Sequence, residues 1–454
     1  MSALAMKNLY VFTDNSSGRS ATTFKLINFA SGSRHVTTWR TQPIPRPIGT
    51  HSIASPANTS HNTLLLGRRP LHDDQDKANA FPDYLQTIFT PAATEPIPRN
   101  HPVSRINFNS LQLQPSARHS LPRHDVLTDP IQVPDITAVV NRRRNTAPGL
   151  DRITYRHIKE APYPLLLLLA AIFNFVLRTG LLPADWKMSK TLMFHKPGKP
   201  KDSPSSYRPI QLTSVFSKIF ERILVHRLHP HLHQHRLLPL HQAGFRPGFN
   251  INDQLLRLSN LITNHYNLAH PSCLLLFDLE KAFDKVWHHG LLCKLLSFRL
   301  PIAYLRLIYN FLTNRLTYVY VNSCSSHPVF INCGVPQGSA LSPLLYLLYV
   351  ADFPSLPPHV HTFQYADDTA FLATAKTIHQ INVSLNEAIR RFSTWCHTWC
   401  LTINAAKTQA IVFIPPKRRS RVYRNPTRLA LSVENTAILP TRTVTYSGNH
   451  VRSS

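Results

Sequence analysis

Two adjacent carboxylates within an apolar stretch are the residues of this chain best suited to chemistry. Asp367 and Asp368 lie in residues 362–372, where apolar, β-branched and aromatic residues flank them on both sides. This pattern predicts a tight β-hairpin with the acids at its tip. Two carboxylates that close raise each other's pKa unless a cation neutralises them, and oxygen ligands of this kind suit Mg²⁺. The tip is therefore a candidate metal site, although an ordinary solvated turn is the commoner explanation of such a pair.

A third acid, Asp278, favours the metal site over the solvated turn. Asp278 follows the continuous apolar run 273–277, which is typical of a buried strand that delivers an acid at its C-terminal end. Because Asp278 lies far from the other two acids in sequence, only a fold that lays the strand beside the hairpin can bring them together. Two-metal phosphoryl transfer requires such convergence, since the attacking and leaving oxygens both need cationic stabilisation.

Several sequence blocks around these acids form an ordered set. The central blocks are FDLEKAFDKVW at 277–287, GVPQGSALSP at 334–343 and YADD at 365–368. The flanking blocks are APGLD at 147–151, SYRPI at 206–210, QAGFR at 242–246 and LTINAAKT at 401–408. Together they resemble the reverse transcriptase domain of non-LTR (LINE-type) retrotransposons, nearest the Jockey group of arthropods, over roughly residues 70 to 450.

The resemblance implies an α+β right-hand polymerase, with a palm made of an antiparallel sheet packed on helices, with fingers, and with a thumb that is missing or truncated. The expected organisation is a disordered or misjoined leader (1–60), a helical pre-polymerase linker (61–124), fingers and fingers/palm support (125–270), a palm with the catalytic motifs (271–415), and a basic tail that is the truncated start of a thumb (416–454).

The resemblance also implies the reaction, in which a primer 3′-hydroxyl attacks a deoxynucleoside triphosphate and expels pyrophosphate. In this interpretation Asp278 and Asp367 bridge two Mg²⁺ ions, for which Mn²⁺ is a possible substitute, and Asp368 supports the primer-side ion. The backbone carbonyl of Leu279 is a further expected ligand, since Mg²⁺ takes six oxygens.

Substrate-binding residues follow from the same resemblance. Phe283, five residues beyond Asp278, stands where the family has a steric gate against the ribose 2′-hydroxyl, although without the resemblance it reads as a core residue. Arg208 stands where the family grips the triphosphate. A second set of expected contacts comprises Lys196 on a fingers turn, Gln337 and Gly338 along the nucleotide and template, and Lys407, which could protonate pyrophosphate.

Other motif residues are given structural roles or depart from the family. We expect Asp284 to cap the following helix, with Trp287 packing on it. Arg152 stands where the family usually has Gly, and Gln211 where it usually has Ser. Residues 446–450 read as a damaged Tyr-Leu-Gly block, which weakens the expected primer grip.

Charge indicates the class of partner. Lys and Arg total 50 against 23 acids, which gives a net charge of +27 and favours a polyanion such as an RNA template with its DNA primer. No secretory signal or bilayer-spanning stretch is evident, so we expect an intracellular protein in a cytoplasmic ribonucleoprotein and in the nucleus, with no membrane partner. The basic run 417–428 is either a nucleic-acid contact or solvated coil.

Periodicity predicts the supporting elements. The chain should form a buried apolar helix over 163–180, a helical face from Leu212 to Leu224, a hairpin of Thr317–Val321 with Pro328–Ile331, and a helix over 382–399. The functional alternative to a polymerase is a decayed element fragment that binds RNA or DNA without polymerising. The sequence leaves the oligomeric state open.

Overall fold

The computed structural model describes residues 9–14, 21–28, 35–41, 64–66, 69–91, 126–298, 300–415 and 429–452. The helices are α1 Asp74–Ile88, α2 Val133–Asn141, α3 Tyr155–Lys159, α4 Tyr163–Thr179, α5 Val215–Gln234, α6 Ile251–Asn267, α7 His288–Ser297, α8 Ile302–Leu312, α9 Ser342–Tyr349 and α10 Ile378–Thr398.

The strands are β1 Leu9–Asp14, β2 Ala21–Asn28, β3 His35–Thr41, β4 Leu64–Leu66, β5 Arg69–Leu71, β6 Met188–His195, β7 Tyr207–Leu212, β8 Ser272–Phe277, β9 Arg315–Val321, β10 Cys324–Ile331, β11 Val360–Tyr365, β12 Asp368–Thr374, β13 Gln409–Phe413, β14 Leu431–Val433, β15 Thr436–Ile438, β16 Pro440–Thr441, β17 Thr443–Tyr446 and β18 Asn449–Arg452. Helices and mixed sheets confirm the predicted α+β class.

The chain divides into two compact units. The first unit comprises Met1–Thr50, Pro239–Glu280 and Phe353–Ser454, and the second comprises His51–Leu238 and Lys281–Asp352. The predicted division into fingers and palm stays a prediction.

A five-stranded sheet in the first unit carries the three acids. Its order is β11-β12-β8-β13-β16, with β8 between β12 and β13 and antiparallel to both. Every residue of β8 is buried. A central strand covered on both faces needs no polar alternation, which explains the continuous apolar run that the sequence shows.

Helices cover both faces of β8. On one face Leu274 and Leu276 share a buried cluster with Leu258 and Ile262 of α6. On the other, Phe277 packs edge-on against Phe392 of α10, with ring centroids 5.0 Å apart. Burying each of these large apolar side chains contributes about 1.5–3 kcal/mol, which holds the strand end that carries Asp278.

Local sequence sets the start of both covering helices. The Asn250 side chain accepts hydrogen bonds from Asn252 N and Asp253 N at the start of α6. The Thr377 hydroxyl accepts a hydrogen bond from Gln380 N at the start of α10. Such N-caps satisfy amide groups that have no partner within the helix.

The second unit contains a four-stranded sheet in the order β10-β9-β6-β7. The hairpin predicted around 317–331 is confirmed as β9 and β10, and β6 pairs with β9 in parallel. Helix α1 lies against this sheet, where Phe81 contacts Tyr207 edge-on at 5.4 Å.

Helix α4 confirms the predicted helix and its stop at Gly180, which has a φ of 72°. Its predicted burial is wrong in part, because Leu165, Leu168 and Phe175 are 46%, 56% and 52% exposed. A helix that is apolar around most of its circumference gives no sign of which side faces solvent.

Strands occur in the segment where we predicted a disordered leader. Strands β1, β2 and β3 pair successively as antiparallel neighbours, and β3 pairs with β18. For these strands the prediction is wrong, since runs such as LYVF favour extended pairing. The remaining residues of 1–60 and the whole basic run 417–428 lie outside the described residues. No helix among the described residues is long and apolar enough to cross a bilayer.

Candidate active site

The hairpin of β11 and β12 presents Asp367 and Asp368 as predicted from the sequence. Tyr365 pairs with Asp368, which leaves Ala366 and Asp367 as a two-residue turn. Ala366 has a φ of 59°, which lies in the left-handed region. Residues with a Cβ adopt that region seldom, so the turn requires support from its surroundings.

The pairing register brings Asp278 to the same place. Phe277 of β8 lies opposite Thr369 of β12. Asp278 follows Phe277 directly in the chain and Asp368 directly precedes Thr369, so both acids flank the last pair of this ladder. The strand therefore lies beside the hairpin, as the sequence required.

The pKa values of both hairpin acids, Asp367 and Asp368, are raised. Burial, followed by the charges of Asp368 and Asp278, raises the pKa of Asp367 to about 6. Burial and the charge of Asp278 also raise the pKa of Asp368, against the effect of a hydrogen bond from Ser447. This mutual repulsion is what a bound cation would relieve.

Two side chains of the chain itself compensate these acids. Lys407 Nζ donates a hydrogen bond to Asp278 Oδ2 at 2.9 Å, in a pair whose side chains are 64% and 37% exposed. Ser447 Oγ donates to Asp368 Oδ2 at 2.5 Å. Ser447 belongs to the block that the sequence presented as damaged, so its contact with Asp368 was missed.

Backbone bonds fix the segment that carries Asp278. Asn404 N donates to Asp278 O at 2.8 Å, and Glu280 N donates to Thr402 O at 2.9 Å. The carbonyl of buried Leu279 takes part in neither bond. It stays a predicted metal ligand.

The donor chemistry of these residues suits a divalent cation, since carboxylate oxygens are its preferred ligands and burial and the neighbouring acids raise the pKa of the hairpin pair. Among the described residues, however, no three His, Cys, Asp or Glu side chains are arranged as a ready metal site. Asp278 and Asp368 instead point their oxygens at Lys407 and Ser447. The residues fit the cation by chemistry and charge, and closing around it would require these two contacts to loosen.

Phe283 belongs to the second unit, where its ring stacks on Tyr346 with centroids 4.4 Å apart and planes 21° from parallel. The ring is half-buried. Stacking on Tyr346 fixes the orientation of the Phe283 ring, and part of the ring stays exposed. A fully buried core residue would have no exposed part, and a mobile surface residue would have no fixed orientation.

Asp284 does not cap the following helix, and that prediction is wrong. Helix α7 begins after Trp287 without a side-chain cap. Asp284 is instead buried and accepts a hydrogen bond from Gln337 Nε2 at 2.8 Å. The contact joins two motifs that lie far apart in sequence and fixes the orientation of the Gln337 amide.

The backbone around Gly338 packs closely on β7. Gln211 N donates to Gln337 O at 2.8 Å. A Cβ on Gly338 would lie 2.2 Å from Gln211 O, and its φ is 132°. The sequence predicts that Gly338 lies along the nucleotide and template, whereas the close approach observed at this glycine is to the chain's own backbone.

The two predicted triphosphate contacts lie on and beside β6 and β7. Arg208 is exposed on β7, where its neighbours Tyr207 and Pro209 are buried. Lys196 Nζ donates to Ser205 O at 2.7 Å. Their roles in binding stay predictions.

Sequence reasoning also missed Glu221, a buried acid on α5. Its Oε2 accepts from Ser339 Oγ at 2.5 Å, from Ala340 N at 2.7 Å and from Leu341 N at 3.3 Å. Its Oε1 accepts from Ser217 Oγ at 2.7 Å. This carboxylate orders the turn that follows Gly338. The only signal in sequence is an acid set among the apolar residues of a helix.

Known proteins are similar to this chain in sequence. The family model described as reverse transcriptase (RNA-dependent DNA polymerase) matches residues 195–451. A probable RNA-directed DNA polymerase from transposon BS of Drosophila melanogaster is 34% identical over 74% of this chain and 37% of that protein. The RNA-directed DNA polymerase from mobile element jockey of the same species is 32% identical over 74% of this chain and 36% of its own length. The chain thus spans little more than a third of these relatives.

A solved structure of apo telomerase from Candida tropicalis, truncated from its C-terminal domain, covers 60% of this chain and 54% of that chain, with 12% identity and a TM-score of 0.39. At that distance the comparison assigns no residue. The family match covers more than half of the chain and includes all three acids. The chain therefore belongs to the reverse transcriptase (RNA-dependent DNA polymerase) family.

Proposed function

We propose that this chain is a nucleotidyltransferase that extends a DNA primer on an RNA template with deoxynucleoside triphosphates, as part of a mobile element. The observation that carries the proposal is the pairing of Phe277 in β8 with Thr369 in β12, since Asp278 follows Phe277 directly and Asp368 directly precedes Thr369. The names of the relatives, RNA-directed DNA polymerases of transposons, support the same activity.

Asp278, Asp367 and Asp368 would hold two Mg²⁺ ions, or Mn²⁺ in their place, with the Leu279 carbonyl as a further ligand. Bound cations of this kind stabilise the charge that develops on the attacking and leaving oxygens. Burial and the charges of Asp368 and Asp278 raise the pKa of Asp367 to about 6. This supports the assignment, because a bound cation would offset those charges and favour the ionised acid.

The chain's own residues would act on the nucleotide by positioning and by charge. Arg208 and Lys196 would bind phosphate oxygens, for which a guanidinium fork and an ammonium are suited. The stacked Phe283 ring would exclude a ribose 2′-hydroxyl by steric clash. Gln337, held by Asp284, would line the nucleotide together with Gly338.

Lys407 would hold a proton near Asp278 and deliver it to the departing pyrophosphate. Its ammonium lies 2.9 Å from Asp278 Oδ2, so Lys407 carries its proton beside a carboxylate that would hold a cation. General acids of this kind contribute about 10²–10⁴-fold in rate.

The net charge of +27 supports binding of template and primer. A mobile-element polymerase would work inside the cell, in a cytoplasmic ribonucleoprotein and in the nucleus, where tagged protein should be seen by microscopy. Relocation to a membrane fraction would contradict this part of the proposal.

Primer extension on an RNA template with Mg²⁺ tests the proposal. Wild type should incorporate deoxynucleotides in preference to ribonucleotides, and Asp367→Asn should lose roughly 10³-fold in rate because charge compensation at the site fails. Asp83→Asn, which changes an exposed acid of α1, is the matched control and should remain active. Binding of primer–template without extension by wild type would favour the decayed fragment, and a preference for ribonucleotides would indicate an RNA polymerase.

A further inference from the structure

The turn that carries Asp367 is held by a side chain from another part of the first unit. Gln242 is fully buried. Its Nε2 donates to Ala366 O at 3.0 Å, and its Oε1 accepts from Ala366 N at 3.0 Å. One amide side chain thus satisfies both backbone groups of the turn residue with positive φ, as a neighbouring strand would.

Backbone bonds seat the Gln242 segment on the edge of the catalytic sheet. Ala243 N donates to Gln364 O at 3.0 Å, and Gln364 N donates to His241 O at 2.8 Å. These bonds pair the segment with β11, which is an edge strand of its sheet. The edge is covered next to the hairpin tip, where slippage of the turn would displace both acids.

Gly244 allows the segment to come this close. A Cβ at this position would lie 2.1 Å from Ala366 N. Gly244 N also donates to Gln242 Oε1 at 2.9 Å, so this oxygen receives two backbone amides. Arg246 closes the segment from the other side, since its Nη1 donates to Gln242 O at 3.0 Å and to Pro239 O at 2.7 Å.

We propose that Gln242 is a positioning residue of the polymerase reaction: its amide fixes the Ala366–Asp367 turn so that the carboxylates of Asp367 and Asp368 are presented together to the divalent cation. The proposal rests on the proposed function. This inference goes beyond the proposed function because it gives residues 242–246 a structural role that involves no contact with nucleotide or template.

Left-handed backbone at a residue with a Cβ persists only where its surroundings enforce it. Without the Gln242 amide, both hydrogen bonds that hold Ala366 at its φ of 59° would be lost. The turn would then sample other conformations and carry Asp367 with it. Groups that orient metal ligands through hydrogen bonds typically contribute about 10–100-fold to metal affinity or activity.

The test compares Gln242→Met with Gln254→Met. Gln254 is a matched control because it is also a buried glutamine. From α6, its Nε2 donates to His241 O at 3.2 Å, so it contacts the residue next to Gln242 but not the turn. Gln242→Met should lower kcat for nucleotide addition about 10–100-fold with an unchanged KM. Gln254→Met should keep the wild-type kcat, even where its melting temperature falls.

Two measurements are independent of turnover. Binding of Mn²⁺, followed by electron paramagnetic resonance without substrate, should weaken about tenfold or more in Gln242→Met and remain unchanged in the control. The amide of Ala366, which donates to Gln242 Oε1, should exchange its hydrogen faster in Gln242→Met. If Gln242→Met fails to fold, Gln242→Glu replaces it, since it keeps the acceptor oxygen but loses the donor to Ala366 O.

The outcomes separate this inference from the proposed function. Absence of extension by wild type would refute the proposed function, and the inference would then be judged by Mn²⁺ affinity and amide exchange alone. Extension by wild type with an unchanged kcat and Mn²⁺ affinity in Gln242→Met would overturn the inference. An equal loss of kcat in Gln254→Met would also overturn it, because the effect would then be general loosening of the segment.

Discussion

Replacing Asp284 by Asn should stabilise the protein much more at neutral pH than in acid. Burial raises the pKa of Asp284 to about 6, and this outweighs the opposing effects of the Gln337 hydrogen bond and of Lys281, Lys196 and Lys285. The side chain is 5% exposed. Asn keeps an oxygen that can accept from Gln337 Nε2 and removes the buried charge.

The sign and size follow from proton linkage. The ordinary pKa of an Asp carboxyl is 3.8, and that of folded Asp284 is about 6, so the native state binds more protons than the unfolded state between these values. Stability contributed by the protonated form is therefore lost as pH rises through this window. At about 1.36 kcal/mol per pKa unit, the ionised group costs about 3 kcal/mol above pH 7.

Urea unfolding of wild type and Asp284→Asn at pH 7.5 and pH 4 would measure this effect. The gain in free energy of unfolding on substitution should be about 3 kcal/mol at pH 7.5 and about 0.5 kcal/mol at pH 4. An unpaired amide proton on Asn would shift both values equally, so the difference between the two pH values is the prediction. A substitution effect that is independent of pH, or that grows in acid, would refute the reasoning.

Three other substitutions test single contacts. Glu221→Ala leaves the Ser339 hydroxyl and the amide of Ala340 without their acceptor and should lower the free energy of unfolding by about 3–5 kcal/mol in urea titrations; a loss below about 1 kcal/mol would contradict it. Phe283→Val should increase ribonucleotide incorporation relative to deoxynucleotide by about tenfold or more in single-nucleotide assays, and unchanged selectivity would remove the steric-gate assignment. Lys407→Met breaks an ion pair whose lysine is 64% exposed, so stability should change by less than about 1 kcal/mol while incorporation falls roughly 10²-fold; a large loss of stability with full activity would reverse the assignment.

The catalytic strand and hairpin were predictable because each has a local pattern. A continuous apolar run marks β8, and a pair of acids between β-branched and aromatic residues marks the turn of β11 and β12. The alignment of β8 with this hairpin has no local pattern. It was predicted from the requirement that acids distant in sequence converge. Local pattern and chemical requirement agreed, which is the condition for such predictions to succeed.

The supporting contacts were not predictable because they join residues far apart in sequence. Gln242, Glu221 and Ser447 are polar residues whose partners are about 80–120 positions away. In a single sequence a buried amide or carboxylate looks like a surface one, since its burial depends on its partner. The orientation of α4 was missed for the opposite reason, because its helix has few polar residues to mark the exposed side.

Two residues that depart from the family pattern, Arg152 and Gln211, differ in how the backbone accommodates them. Arg152 has a φ of 57°, in the region where the glycine usual in the family would be relaxed. Gln211 uses its backbone N–H to bind Gln337 O, so its side chain can differ from the usual serine without loss of that bond. A change of side chain matters less where the backbone makes the contact.

The central claim is that Asp278, Asp367 and Asp368 form one divalent-cation site. Mn²⁺ titration followed by electron paramagnetic resonance, with wild type and each single Asp→Asn variant, tests it most directly. Wild type should bind Mn²⁺, and each variant should lose about tenfold or more in affinity, Asp278→Asn included. Wild-type affinity in Asp278→Asn would mean that β8 does not deliver an acid to the hairpin tip, and would contradict the account.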